Sequence, residues 1–350
     1  LLFRCSDAQL PARTAKLFGE FKETRHTPHS SVTFLLDPMP PPDITKDDMR
    51  IKTLSVTSFR TYLDCPFRFY LSHVLGMEEK DDLKGEMDAM DFGSMVHTAL
   101  QHMAEDARIR KSADPAAILE FLSAQIDSWI KARFGHSISL PVTVAAESAK
   151  QRLKRFSELQ AGLVKEGWEI IEHEKKFSMG LSGITIRGKI DRIDRNKTSG
   201  KLRIIDYKTS DHGDAPEDVH VGTVRESTPP YAKVTINNRE RRWIDLQLPL
   251  YTMIYQNEKA LNDPVEVAYI NLPKSVSDTK IAVWEDLGPD LMKSADKCAH
   301  EVAGAISECR FWPPSDDTLY DDAFASLFIT DANKCLDSAA FERFLERCRK

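Results

Sequence analysis

Cysteine is scarce in this chain, six in 350 residues, and no two of them form a Cys-x-x-Cys pair. That excludes the usual zinc spacings, and thiols so few and so scattered do not read as a disulfide framework. No apolar stretch reaches the length that crosses a bilayer, and the first residues lack the pattern of a secretory signal, so neither a membrane nor an export role is expected. A basic excess is missing too: 48 Lys and Arg stand against 54 Asp and Glu, a net charge of −6. A protein that coats long duplex DNA with its whole surface should be basic, so that class is excluded. Repeats and low-complexity tracts are absent. What remains is the composition of a cytosolic (cytoplasmic) enzyme domain. Its length allows a large core, in one big domain or one domain with a small attachment.

Two carboxylates fifteen residues apart carry the chemistry: Gly188-Lys189-Ile190-Asp191 and Ile205-Asp206-Tyr207-Lys208. The first ends an apolar strand on an acid; the second is a strand bearing Asp-x-Lys. Strand side chains alternate, so Asp206 and Lys208 emerge on one face and Tyr207 on the other. Two adjacent strands then present two carboxylates and one ammonium to a small volume, a costly grouping unless a divalent cation lies between the acids. Such a cation with a lysine beside it suits hydrolysis of a phosphodiester. An Asp and a Lys on an exposed strand are otherwise a commonplace surface pair that contributes almost nothing. Here Leu202, Ile204 and Ile205 flank the pair, and Ile186 and Ile190 precede Asp191, so the acids sit where polar groups need partners. Asp194 should turn to the face opposite Asp191 and pair structurally with Arg192 or Arg195.

Periodicity predicts helices over 56–72, 92–110, 115–134, 143–166, 241–258 and 288–308, and strands over 168–178, 182–195, 201–208, 266–271 and 279–284. This is a mixed α/β order, with helices before and after a compact strand group. Residues 37–45 are proline-rich and read as a linker, with a boundary near residue 49. Residues 1–48 are then an N-terminal arm or the tail of a preceding domain, and 49–350 the main domain. Between 210 and 240 the polar stretch reads as a long loop, either substrate-covering or mobile. His97 lies at the edge of the apolar stripe of residues 92–107, as a satisfied half-buried residue or a ligand. Gln247 and Tyr251, four apart, share a helical face. Lys150, Arg152, Lys154 and Arg155, and then Arg239, Arg241 and Arg242, form basic runs that are either a local DNA-binding groove or simply solvated faces. Glu174, heading Glu-Lys-Lys-Phe, is either a surface acid or a supporting carboxylate.

Gly188-x-x-Asp191 followed by Asp206-Tyr207-Lys208-Thr209 resembles the core of the PD-(D/E)XK nuclease superfamily. More narrowly, it resembles the RecB/AddB-type nuclease domain at the C-terminal end of bacterial helicase–nuclease subunits. Three further segments match in order: Leu54-Ser55-x-Thr57-Ser58-Phe59-x-x-Tyr62-x-x-Cys65-Pro66-Phe67-x-Phe69-Tyr70, which resembles the opening helix; Gly93-Ser-Met-Val-His97; and Leu246-Gln247-Leu248-Pro249-Leu250-Tyr251. The resemblance implies a restriction-endonuclease-like core, a small mixed central sheet flanked by helices with additional helical elements. It implies magnesium, or manganese, held by Asp191, Asp206, the Tyr207 backbone carbonyl and His97. Lys208 would orient the attacking water, Gln247 would border the active site, and Tyr251 would support DNA or the scaffold. The expected activity is a metal-dependent deoxyribonuclease, exonuclease ahead of endonuclease, in DNA end processing and recombinational repair with a helicase domain or subunit as partner. A catalytically silent scaffold that binds DNA or a helicase is the alternative. A start at Leu1 fits a piece of a longer protein. Many AddB-type domains pair the Cys-Pro-Phe cysteine with three closely spaced C-terminal cysteines around a 4Fe–4S cluster. Here Cys65, Cys298, Cys309, Cys335 and Cys348 are widely separated, so no cluster is expected. Cys65 reads instead as a small buried apolar residue, with Phe311-Trp312-Pro313-Pro314 packing the tail.

Overall fold

The computed structural model describes residues 51–78, 87–261, 263–312 and 314–315, with isolated positions in the terminal stretches. The chain divides into Leu1–Leu36 and Asp37–Lys350. In the first unit residues 10–12 and 14 are helical. The proline-rich linker and the boundary expected near residue 49 lie outside the described residues. The fold of the second unit follows.

A short strand β1 (Thr53–Ser55) opens it, then α1 (Ser58–Asp64) and α2 (Pro66–Phe69), which runs on into a wider π-type turn over Tyr70–Val74. Three long helices come next: α3 (Ala89–Glu105), α4 (Pro115–Phe134) and α5 (Leu140–Lys165). Their ends are written in the sequence. The Asp88 side chain caps α3 by accepting from the Asp91 amide, and Asp114 does the same for Ala116 ahead of Pro115 at the first position of α4. Gly135, at φ +77°, stops α4 where only glycine is at ease. The apolar stripe of α3 (Met95, Val96, Ala99, Leu100 and Met103) joins α4 and α5 in one core cluster with Ile205, Tyr207 and Ile270 of the sheet.

The sheet is mixed. Its strands are β2 (Trp168–Leu181), β3 (Ile184–Asn196), β4 (Leu202–Lys208), β8 (Glu266–Asn271) and β9 (Lys280–Val283), with β1 added. The order is β1-β3-β4-β8-β9, and β2 pairs with β3. β4 and β8 run parallel, as do β1 and β3; the other pairs are antiparallel. Opposite the helical cluster, α7 (Gln247–Lys259) packs on β4, and α8 (Pro289–Ser307) packs on α7 and β2. Helices thus flank a small mixed sheet on both faces, as the resemblance implies.

One feature of β3 positions everything else. Its first half pairs with β1 as far as Ser55↔Arg187, and its second half pairs with β4 from Arg192↔Ile205 onward. Between them, the same edge of β3 changes partner, leaving Gly188–Asp191 without a ladder on that side.

Three expectations need correction. The helix expected at 241–258 starts only at Gln247; Arg239–Trp243 is a strand, β7. The 210–240 stretch is not one long loop. It holds α6 (Pro216–His220), β5 (Val221–Thr223) and β6 (Lys233–Ile236), and β5-β7-β6 form a second, three-stranded sheet. The opening segment likewise begins as β1 before turning helical.

Candidate active site

Asp191 sits at the partner change in β3. Continuing the β3–β4 register one step beyond Arg192↔Ile205 sets Asp191 across from Asp206. The ladder does not make that step. The Asp191 side chain takes it over, with Oδ2 accepting from the Tyr207 amide at 3.0 Å. The Lys208 carbonyl accepts from the Leu272 amide on the β8 side, so alternation turns the Tyr207 peptide groups toward β3 and Asp191.

Asp206 is buried and fully engaged. Its Oδ1 accepts from Gln247 Nε2 at 2.9 Å and its Oδ2 pairs with Lys208 Nζ at 2.8 Å. Lys208 Nζ also donates to Gln247 Oε1 at 3.0 Å, closing a ring of three side chains. Gln247, first residue of α7, is held by its own amide donating to Asp245 Oδ1 at 2.8 Å. Tyr251, one turn on, donates to the Lys189 carbonyl at 2.9 Å and accepts from Gln247 Nε2 at 3.0 Å. It is buried and ties α7 to β3. His97, on α3, approaches from the helical side, with Nδ1 3.6 Å from Asp191 Oδ2 and its ring edge-on to Tyr207.

The electrostatics follow from burial. Desolvation, reinforced by the Asp206 charge, pushes the Asp191 carboxyl up to about 8, against the pull of the Tyr207 amide. Burial also holds His97 below the ordinary imidazole value despite Asp206 and Glu174 nearby, which keeps it neutral with a lone pair available. For Lys208, burial is the largest influence and opposes the charge, but Asp206, Asp245 and Asp191 together outweigh it and the ammonium titrates above the usual lysine value. Two opposed buried carboxylates, a neutral imidazole and a peptide carbonyl on the same edge are the donor chemistry of a hard divalent cation. Among the described residues no three His, Cys or acidic side chains converge as they stand; Lys208, Gln247 and the Tyr207 amide occupy the carboxylate oxygens that a cation would draw on.

Asp194 lies on the other face. It is wholly buried in a two-bond pair with Arg192, whose guanidinium also reaches Gln160 and the Tyr207 hydroxyl. This network anchors the strand behind the site. The basic runs are largely spoken for. Arg152 is buried, donating to the Thr209 and Leu272 carbonyls and lying over Phe92; Lys150 pairs with Asp127 and Glu147, and Arg155 with Glu158. Lys154 and Arg239 are exposed. Arg242, a DNA-binding candidate, is buried on β7, with Nε donating to the Thr223 carbonyl; Arg241 lines a depression shared with Glu217, Asp218 and Asp286. Both belong to the small sheet and not to a helix approach.

Cys65 is buried but not apolar in its contacts. Its Sγ accepts from the Arg68 and Ser315 amides and the Arg68 guanidinium. Phe311 and Trp312 pack on Tyr70 and Phe67, as expected of the tail; Pro313, Cys335 and Cys348 lie outside the described residues. His220 and Asp245, which fix the start of α7, escape a reading of the sequence. Buried His220 accepts the Leu248 amide at Nε2, while its carbonyl accepts from Ile244 and Asp245. No motif marks either residue.

The model of the PD-(D/E)XK nuclease superfamily matches residues 53–316. One component of the ATP-dependent helicase/deoxyribonuclease of Carboxydothermus hydrogenoformans is 28% identical over 214 residues, covering 56% of this chain and 19% of that protein. The like-named component from Staphylococcus carnosus is 28% identical over 212 residues, covering 53% and 18%. That of Lachnoclostridium phytofermentans is 29% identical over 168 residues, covering 44% and 14%. The chain spans less than a fifth of the length of these relatives.

Proposed function

Because the chain belongs to the PD-(D/E)XK nuclease superfamily, we propose that it is a divalent-metal-dependent deoxyribonuclease, an exonuclease that processes DNA ends for repair beside a helicase partner. The observation that carries this reading is the opposition of Asp191 and Asp206 at the β3 partner change, with Lys208 bonded to one of them. The relatives' names support DNA as substrate and a helicase as partner. No described helix is long and apolar enough to cross a membrane.

Asp191, Asp206, the Tyr207 carbonyl and His97 are the groups that would hold magnesium or manganese. When bound, such a cation polarises a phosphate oxygen and lowers the pKa of water. Lys208 supplies a positive charge beside the acids, where it orients the attacking water and offsets charge that develops on the phosphate. A lysine suits this place, since its compact ammonium can leave Asp206 and reach the nucleophile. Gln247 holds both partners in register, and Tyr251 fixes Gln247 to the backbone of β3. His97 stays neutral and so can donate a lone pair.

The test is degradation of end-labelled linear DNA, single- and double-stranded, with magnesium or manganese. Asp206→Asn and Lys208→Ala should each lower the rate by about 10²–10⁴, with unchanged circular dichroism. Activity that survives both substitutions would falsify the assignment. Lack of cleavage with either metal on any strand state would leave a scaffold.

A further inference from the structure

Register places a third acid in line with the first two. His173↔Arg192 and Lys175↔Ile190 are paired between β2 and β3, and the residues between them are Glu174 and Asp191. One row across β2, β3 and β4 therefore carries Glu174, Asp191 and Asp206. Like charges directly opposite one another in a sheet are destabilising. The outer two have counter-charges: Glu174 pairs with Lys189, and Asp206 with Lys208. Asp191, in the middle, has among the described residues no charged partner within ion-pair distance, since His97, 3.6 Å away, is neutral.

Glu174 is also held in an unusual way. Its φ is +48°, the left-handed region that costs a side-chain-bearing residue about 1 kcal/mol or more. The residue lies within a long strand, where an ordinary surface glutamate has no cause to adopt it. Its side chain is only 16% exposed, whereas that of Lys189 is 47% exposed. The Glu174 charge is felt by both His97 and Asp191.

We infer that Glu174 is a third cation-holding acid of this site, sharing with Asp191 a divalent ion at the centre of the row, and that Lys189 is the mobile counter-charge it releases on ion binding. The inference rests on the active-site reading of Asp191 and Asp206 and adds a residue to it.

The test is manganese binding by calorimetry to the full chain without DNA, so that no activity is read. Glu174→Gln should weaken binding about tenfold. Lys189→Met should leave it unchanged or tighten it, because it removes a competitor for the carboxylate. Glu174→Gly relieves the backbone, so it should melt no lower than wild type while losing the same affinity; this separates a lost ligand from a lost fold. Unchanged affinity in Glu174→Gln, or equal weakening in Lys189→Met, would overturn the inference and leave a structural ion pair. Asp191→Asn is the control. If it abolishes binding and Glu174→Gln does not alter it, the active-site reading stands and this inference fails. If Asp191→Asn also binds like wild type, the reading of the site itself fails.

Discussion

His220 shows how much rests on one side chain away from the acids. Its Nδ1 lies 2.9 Å from the Pro216 carbonyl and 3.2 Å from the Tyr269 hydroxyl, and its Nε2 accepts the Leu248 amide at 3.2 Å. The ring must be neutral, with its proton on Nδ1, to cap the start of α7 one residue from Gln247. Burial holds its pKa below the ordinary 6.5, against the pull of Asp245 and with the push of Lys208. The unfolded chain takes up this proton as pH falls through about 6.5 and the folded chain resists it. The stabilisation is therefore complete above that pH and is lost progressively below it. Melting followed by circular dichroism at pH 7, 6 and 5 should show wild type falling more steeply than His220→Gln. The variant should be about 1–3 kcal/mol less stable at pH 7, because the buried Leu248 amide loses its acceptor. Parallel pH slopes would defeat the assignment. Nothing local in the sequence announces this role, since Pro216, Leu248 and Tyr269 come from three separate elements. Asp191, Asp206 and Lys208 are legible because strand alternation alone fixes their faces. Glu174 is ambiguous because its setting depends on a backbone twist that alternation does not contain.

Elements are legible where a single periodicity runs between clear caps. The 115–134 helix and the 266–271 strand have the limits expected of them. The hairpin of β6 and β7 escapes that reading, although Asn237-Asn238 between the strands is a turn signal; both residues have positive φ, as a two-residue hairpin turn requires. The arginine run after it passes for a helix start because charge has no period. Close strand contact is equally invisible. A methyl group on Gly188 would lie 2.2 Å from the Phe177 ring, across the β2–β3 pair. Gly188→Ala should therefore cost about 1–3 kcal/mol by overpacking. It should also displace β3 just before Asp191, lowering the rate of the proposed cleavage beyond the loss of folded protein. Adding Phe177→Leu should recover part of both, measured by denaturant melts and rates per folded molecule. No coupling between the two substitutions would show that the ring contact is not what excludes a side chain.

At the scale of the whole molecule, the net charge of −6 and the internal pairing of Arg152, Lys150, Arg155 and Arg242, four of the cations expected of a DNA-binding groove, argue against a broad cationic track. The chain by itself should bind DNA weakly, with a shallow salt dependence. The slope of log K against log salt should be no steeper than about −3, a handful of phosphates at most. Fluorescence anisotropy in calcium can measure this, and a slope near about −6 would mean that a broad cationic track exists on the protein. A shallow slope would leave the holding of substrate to whatever delivers the strand. The two flanks of the domain are also fastened to each other. The Tyr62 hydroxyl donates to the Arg310 carbonyl, Arg68 to that of Ser315, and the Ser315 amide to Cys65. A polypeptide that comes in along α1 and goes out past Phe311 does so through neighbouring doors. Such a module can be spliced into a larger machine as a plug-in cartridge, with little demand on the host to bridge the two ports.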